Sequence, residues 1–249
     1  MFGAALHELD EAAYRVVFRP DEQDVSPGYM LRPCGHRVQG QALFELVLFD
    51  RALPYCEVVM RALQLAGERG LGRGRRPYQL ARLAWLDAAG RPVQHRAQEV
   101  PFALDGCGWP LAGDPAETPC RVLLPEPARL LRKGALISAP TLRDLVVAGC
   151  RRLGSLTGRE LREPLRQLQA AALEAADQTA SQPFVGKSGS VGRWSASQHQ
   201  HIELQGASGY LDLPDGPGPL WRLLAAMQWL HCGKATVVGL GRVVLTPIW

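Results

Sequence analysis

The chain has 249 residues, 47% of them hydrophobic, enough for one large domain or two of ordinary size around real cores. Its formal net charge of +4 is a mild basic excess, which excludes a polycation. No run of about eighteen apolar residues occurs, which excludes an ordinary membrane-spanning helix.

The basic residues are almost all arginine; the lysines are Lys133, Lys187 and Lys234. Arginine's planar fork grips phosphate bidentately and stacks on bases. A GC-rich genome produces the same bias, so the excess alone assigns nothing. Cys34, Cys56, Cys107, Cys120, Cys150 and Cys232 form no C-x-x-C pair, and no Cys/His set has zinc-ligand spacing. Several lie in apolar runs and read as buried thiols of a reducing cytoplasm. Met1 to Asp10 carries acids and no basic n-region, so no secretory leader is expected.

In chain order, Phe2 to Leu9 reads as a short helix and Tyr14 to Phe18 as a strand. Leu43 to Phe49 is a strand between turn signals. Leu53 to Ala66 has apolar residues at helical spacing, with Gly67 as its terminating glycine. Gly67 to Arg76 is a glycine-arginine loop, and Tyr78 to Leu86 follows as strand. After a Gly/Pro-rich join near Asp105 to Thr118, Arg121 to Leu124 reads as strand. Thr141 to Leu153 reads as a helix capped by Thr141 or Ser138. Arg159 to Asp177 is a long polar helix resembling an insertion. Gln182 to Gly192 is Gly/Ser-rich and reads as a mobile loop. Trp194 to Ser197 and Ile202 to Leu213 are strand candidates, Leu220 to Leu230 a helix, and Thr236 to Pro247 the last strand.

Between those last two elements runs Gly233-Lys234, then Gly239-Leu240-Gly241-Arg242. Backbone N–H groups in a glycine loop, with a lysine, suit a polyanion. A Walker loop needs G-x-x-x-x-G-K-[ST] between strand and helix, and a dinucleotide fingerprint needs G-x-G-x-x-G opening a helix. Here the order is helix, Gly-Lys, strand, which argues against a nucleotide cofactor. The two halves repeat one order, each with a glycine-rich loop after its second helix. The expected fold is therefore α+β: two tandem ferredoxin-like (RRM-like) βαββαβ domains over 1–112 and 113–249, with a helical insertion at about 159–192 in the second.

Several stretches, in order, resemble the CRISPR precursor-RNA-processing endoribonucleases of the RAMP superfamily, the Cas6 type. They are Leu46 to Tyr55, Gly67 to Arg75, Leu123 to Leu131, Ala139 to Leu145, Arg193 to Gln198, Gln205 to Gly209, and Gly233 to Thr236 with Gly239 to Arg242. Two features depart from the family. Its members start with a strand before the first helix, whereas Met1 to Leu6 already resembles that helix, so the first domain is expected to be truncated or to lack an edge strand. The stretch Arg159 to Gly192 is also unlike the family pattern.

The resemblance implies metal-independent, cofactor-free cleavage within the CRISPR repeat. The 2′-hydroxyl attacks the adjacent phosphate, leaving a 2′,3′-cyclic phosphate and a 5′-hydroxyl. That chemistry needs a base, an acid and cations for the phosphorane. His7 and His36 are the candidates for proton transfer, with Tyr29 assisting; their bland readings are a surface histidine and a turn residue. For RNA contact the candidates are Arg37, Arg73, Arg75, Arg76, Arg193, Trp194, Gln198, Gly233, Lys234, Gly239, Gly241 and Arg242. The competing reading for the arginines and lysine is a solvated loop, and for Trp194 a core tryptophan. His199 and His201 alternate on one strand face, and His231 reads as a cationic helix cap. The implied partners are precursor and mature CRISPR RNA and other effector-complex subunits, in the cytoplasm. The alternative is a catalytically inactive RAMP-type repeat-RNA-binding subunit.

Overall fold

The structure, a computed structural model, describes residues 2–20, 25–38, 41–70, 74–81, 84–86, 92–93, 114–157, 161–195 and 200–248; for 33–38, 41–42, 86, 92–93 and 193–195 only the backbone is described. Helix α1 (Phe2–Leu9) buries Ala5 and Leu6. It packs on α3 (Cys56–Arg69), whose Val59, Ala62, Leu63 and Ala66 are buried at helical spacing. Asp10 caps the short helix α2 (Glu11–Ala13), its carboxylate accepting from the Ala13 N–H at 2.9 Å.

The chain then makes a π-helical turn, Tyr14–Phe18, where a strand was expected. The Asp10 cap starts a helix, and the four-residue spacing of Tyr14 and Phe18 stacks their rings at 5.5 Å. Helical geometry thereby outcompetes the β-propensity of Tyr, Val and Phe. Strands β1 (Tyr29–Val38) and β2 (Gln41–Leu48) form an antiparallel hairpin with a bulge between Cys34 and Arg37. A 3-10 turn, Asp50–Tyr55, leads into α3. Gly67 does not end α3: the helix continues to Arg69 and leaves at Gly70, φ 77°. Of the strand expected over Tyr78 to Leu86, the described residues show β3 (Trp85–Leu86), paired with β4 (Pro92–Val93), whereas residues 78–81 are not strand. Tyr78 instead ties back to α3, its hydroxyl donating to the Leu63 carbonyl at 2.6 Å.

In the C-terminal half, β5 (Cys120–Ala128), β8 (Val185–Ser195), β9 (Gln200–Leu213) and β10 (Val244–Pro247) form one sheet in the order β10-β5-β9-β8. All neighbours are antiparallel. With α4 (Leu142–Leu156) after the first of these strands and α6 (Trp221–Leu230) before the last, this is the ferredoxin-like βαββαβ arrangement. A small hairpin, β6 (Leu131–Arg132) with β7 (Ala135–Leu136), leads into α4.

A full capping box starts α4: the Asp144 N–H donates to the Thr141 hydroxyl, and the Thr141 N–H to the Asp144 carboxylate. Its Leu142, Leu145, Val146, Gly149 and Cys150 are buried on one face. They pack with Val122, Leu124, Leu211, Leu213, Leu224, Met227 and Leu245. Each fully buried leucine here contributes about 2 to 3 kcal/mol of transfer free energy. The inserted helix α5 (Arg162–Gln178) lies on α4 through Ala172 and Ala176.

The Gly/Ser-rich segment expected to be mobile is instead largely strand: Val185 to Gly192 lies in β8, in unbroken register with β9. Its composition carries no strand signal, and the neighbouring strand supplies the ladder. No helix among the described residues is long and apolar enough to cross a membrane. The two halves meet along a seam where the Ser26 N–H donates to the Ser155 carbonyl at 2.8 Å and Val237 packs against the N-terminal core.

Candidate nucleic-acid interface

His7 stands exposed in the last turn of α1, its ring edge-on to Tyr14 at 4.9 Å. With Glu11, Tyr14, Arg15 and Arg19 it lines an open cleft of about 360 Å³. The acids beside it are occupied: Glu11 pairs with Arg15 at 2.6 Å, and Glu8 takes two bonds from Arg69. Among the described residues Arg19 has no acidic partner, and the cleft is lined by both a histidine and this guanidinium. That pairing can move a proton and hold an anion. The sequence reading missed Tyr14, Arg15 and Arg19 because it took this segment for a strand. The Tyr14/Phe18 spacing of four was the available signal.

Tyr29 is elsewhere. It is 7% exposed, its ring stacked on Phe18 at 5.5 Å and edge-on to Phe2 at 5.4 Å. The rings run His7, Tyr14, Phe18, Tyr29 from solvent into the core, so Tyr14 and not Tyr29 flanks the histidine. His36 lies in the β1 bulge, inside a strand and not in a turn; its side chain and that of Arg37 lie outside the described residues. Extra residues in a bulge re-aim side chains.

The C-terminal glycine run differs from expectation in two ways. First, no strand begins at Thr236: Thr236–Val238 is a 3-10 turn between Ala235 at φ 63° and Gly239 at φ 85°, and β10 starts only at Val244. Left-handed residues on both sides stop an extended strand. Second, several of its backbone donors are used inside the protein. Pro125 and Pro127 cannot donate, and the β5–β9 register breaks between Leu124 and Ala128. The loop docks on this gap, the Gly241 N–H donating to the Pro127 carbonyl at 3.2 Å and the Lys234 N–H to the Arg129 carbonyl at 2.9 Å. Cys232 donates to the Gly241 carbonyl at 2.8 Å.

The glycines serve this docking. Gly233 and Gly241 sit at φ 86° and 71°, and a Cβ would meet the Arg129 carbonyl oxygen at 2.6 Å in the first case and collide with the Cys232 carbonyl in the second. Side chains supply the cations of this loop. Lys234 is exposed, and bridging pairs it with Arg129, which the sequence did not single out. Arg242 is half-buried, 3.9 Å from the Glu126 carboxylate.

His231 is not a cationic cap. It is fully buried, and burial pushes its pKa down to about 4, helped by the charges of Arg32, Arg242 and Arg152. Its Nδ1 faces the Leu240 carbonyl at 3.1 Å; a carbonyl can only accept, so Nδ1 carries the hydrogen of a neutral ring. Cys120 and Cys232 are buried, with thiols pushed up to about 12, and act as packing groups.

Arg75, at φ 44°, and Arg76 are exposed in the first glycine loop, whereas Arg73 lies outside the described residues. The backbones of Arg193 and Trp194 continue β8 toward the tip of its hairpin with β9; their side chains, and Gln198 and His199 entirely, lie outside the described residues. His201 is exposed near that tip.

A family model described as CRISPR-associated endoribonuclease Cas6 matches residues 118–243, and one described as an N-terminal domain matches residues 5–101. No curated protein matches the chain. Among solved structures, a Cas6 product complex (TTHB231) is 17% identical with a TM-score of 0.62, covering 98% of this chain and 90% of that one. Thermus thermophilus Cas6 (TTHB231) is 16% identical at a TM-score of 0.55, covering 98% and 88%. A second Cas6 product complex (TTHA0078) is 17% identical at 0.53, covering 98% and 92%. At such identities the likeness is one of fold. The family match spans half the chain, including the β5 bulge and the glycine loop docked on it, and the chain belongs to the Cas6 family of CRISPR-associated endoribonucleases.

Proposed function

We propose that the chain binds precursor CRISPR RNA and cleaves it within the repeat, without a metal ion, by attack of a 2′-hydroxyl on the adjacent phosphate. Family membership through residues 118–243 supports the reaction class, and the cleft lined by His7 and Arg19 is the observation that carries the site. Likeness of fold to Cas6 proteins solved with product and with a substrate mimic is in keeping with an RNA ligand. In this reading the 2′-O–P bond forms as the P–O5′ bond breaks. The 2′-hydroxyl proton passes to a base and the leaving 5′-oxygen takes one from an acid, giving the cyclic phosphate and a 5′-hydroxyl. His7 performs one transfer and His36 is the candidate for the other. Arg19 and Arg15 hold the phosphorane charge. Lys234, Arg129 and Arg242 grip the backbone elsewhere on the RNA, with Arg75, Arg76, Arg37, Arg193 and Trp194 as further contacts.

The test is incubation with repeat RNA in EDTA. We expect one cut ending in a cyclic phosphate, blocked by a single 2′-deoxy sugar at the scissile position. His7→Ala should slow it about 100-fold to 10,000-fold, the range for loss of a positioned acid or base. RNA that is bound tightly and never cut by the wild-type chain would favour the catalytically inactive repeat-binding subunit.

A further inference from the structure

We infer that Arg32 and Arg152 form a reciprocal clamp across the seam between the two halves, and that this clamp fixes which phosphodiester is cut. The second clause rests on the endoribonuclease reading above. Arg32, on β1 of the N-terminal half, lies 5.6 Å from the ring centroid of Trp229 on α6 of the other half. Arg152, on α4 of the C-terminal half, lies 5.5 Å from the ring of Phe49 in the N-terminal half. Each half contributes one arginine and one aromatic ring. Each arginine is also anchored at home: Arg32 pairs with Glu45 on β2, and Arg152 Nε donates at 3.1 Å to the carbonyl of Leu230, the last residue of α6. The Ser26–Ser155 hydroxyl bond, at 2.8 Å, flanks them.

Stability alone does not account for this arrangement. Arg152 is 5% exposed, and its Nη2 has no hydrogen-bond partner. A charge desolvated with an unpaired donor is costly, and an apolar side chain of similar size is often as stable or more so. What a guanidinium adds is a rigid, charged plane that can lie within cation–π reach of a ring while bonding in a fixed direction. The plane stands at a critical joint. Leu230 immediately precedes His231, which opens the loop carrying Lys234 and Arg242. The same loop packs its Thr236–Val238 turn along β1. The His7 cleft belongs to one half and the Lys234–Arg242 cations to the other. The number of nucleotides between grip and cut therefore depends on how rigidly the halves are joined.

The experiment uses the full chain with Arg152→Met, which keeps length and burial while removing the plane, and Phe49→Leu, which removes the ring. Melting temperature should stay within a few degrees of wild type for Arg152→Met. Cleavage should spread from one phosphodiester to its neighbours, with kcat down roughly tenfold or more and RNA Kd changed less than about twofold, because misplacement by an ångström penalises the chemical step most. The double variant should be no worse than either single one, the signature of coupled residues. Cutting at a single site at the wild-type rate in both variants overturns the clamp's role in the cut. If the wild-type chain never cuts, the endoribonuclease reading fails, and the clamp is judged by amide exchange at Ser26. Exchange there should quicken about tenfold in Arg152→Met, since that N–H bonds across the seam, and unchanged exchange overturns the clamp itself.

Discussion

Acidification from pH 7.5 to 5 should destabilise the protein through His231. The ring is neutral in the fold, with a pKa of about 4, whereas an unfolded histidine titrates near 6.5. The folded value is the lower one, so the unfolded chain binds the proton first. Stability is at its full value above pH 6.5 and is lost as pH falls toward 4. The gap between 6.5 and about 4 corresponds to roughly 3 kcal/mol in all, of which roughly 2 kcal/mol is gone by pH 5.

Two arginine-bonded carboxylates titrate below this window. Arg121, hydrogen-bonded to Asp212, holds that carboxyl below its usual range. For Asp144, burial acts upward but is outweighed by the bonds from Arg132 and Thr141. Both contributions persist above the ordinary carboxyl range and fade only at lower pH. The comparison variant is His231→Asn: its amide can donate to the Leu240 carbonyl as Nδ1 does, and both residues carry a Cβ into the same backbone conformation, φ 57° and ψ 176°. Urea unfolding at pH 7.5, 6 and 5 should show wild type losing stability while His231→Asn stays nearly flat. Parallel pH dependences for the two proteins would refute a buried neutral His231.

Two further outcomes are expected. Ala235 is held at φ 63° and ψ 27°, where a Cβ costs about 1 kcal/mol, so Ala235→Gly should raise the melting temperature by about 2 to 4 °C; a fall would mean that the loop does not hold this conformation. Lys234→Ala should weaken repeat-RNA binding at every sequence tested and reduce the slope of log K against log salt by about 1. An unchanged slope would remove Lys234 from the phosphate contacts.

Much of the architecture was legible in the sequence because it rests on local signals. Apolar content and spacing marked α1, α3, α4 and α6, and Thr141 was one of two candidate caps for the start of α4. The order of motifs, read as a whole, pointed to the family. Locally ambiguous segments were decided by their surroundings. Tyr14 to Phe18 has strand propensity but follows the Asp10 cap, and Val185 to Gly192 has no strand pattern but lies beside β9. The function of the glycine run was the furthest from local reading. From sequence it offers amides to an anion; in the fold the Gly241 amide is taken by the Pro127 carbonyl at the β5 bulge and the Lys234 amide by the Arg129 carbonyl just beyond it. His231 underwent the same inversion, from a charged cap to a neutral buried ring. Composition, periodicity and capping determined which elements form, because those are contests between neighbouring residues. Which donors stay free, which arginines face each other across the seam, and which histidine meets solvent depend on segments more than a hundred residues apart, and only their packing could decide it.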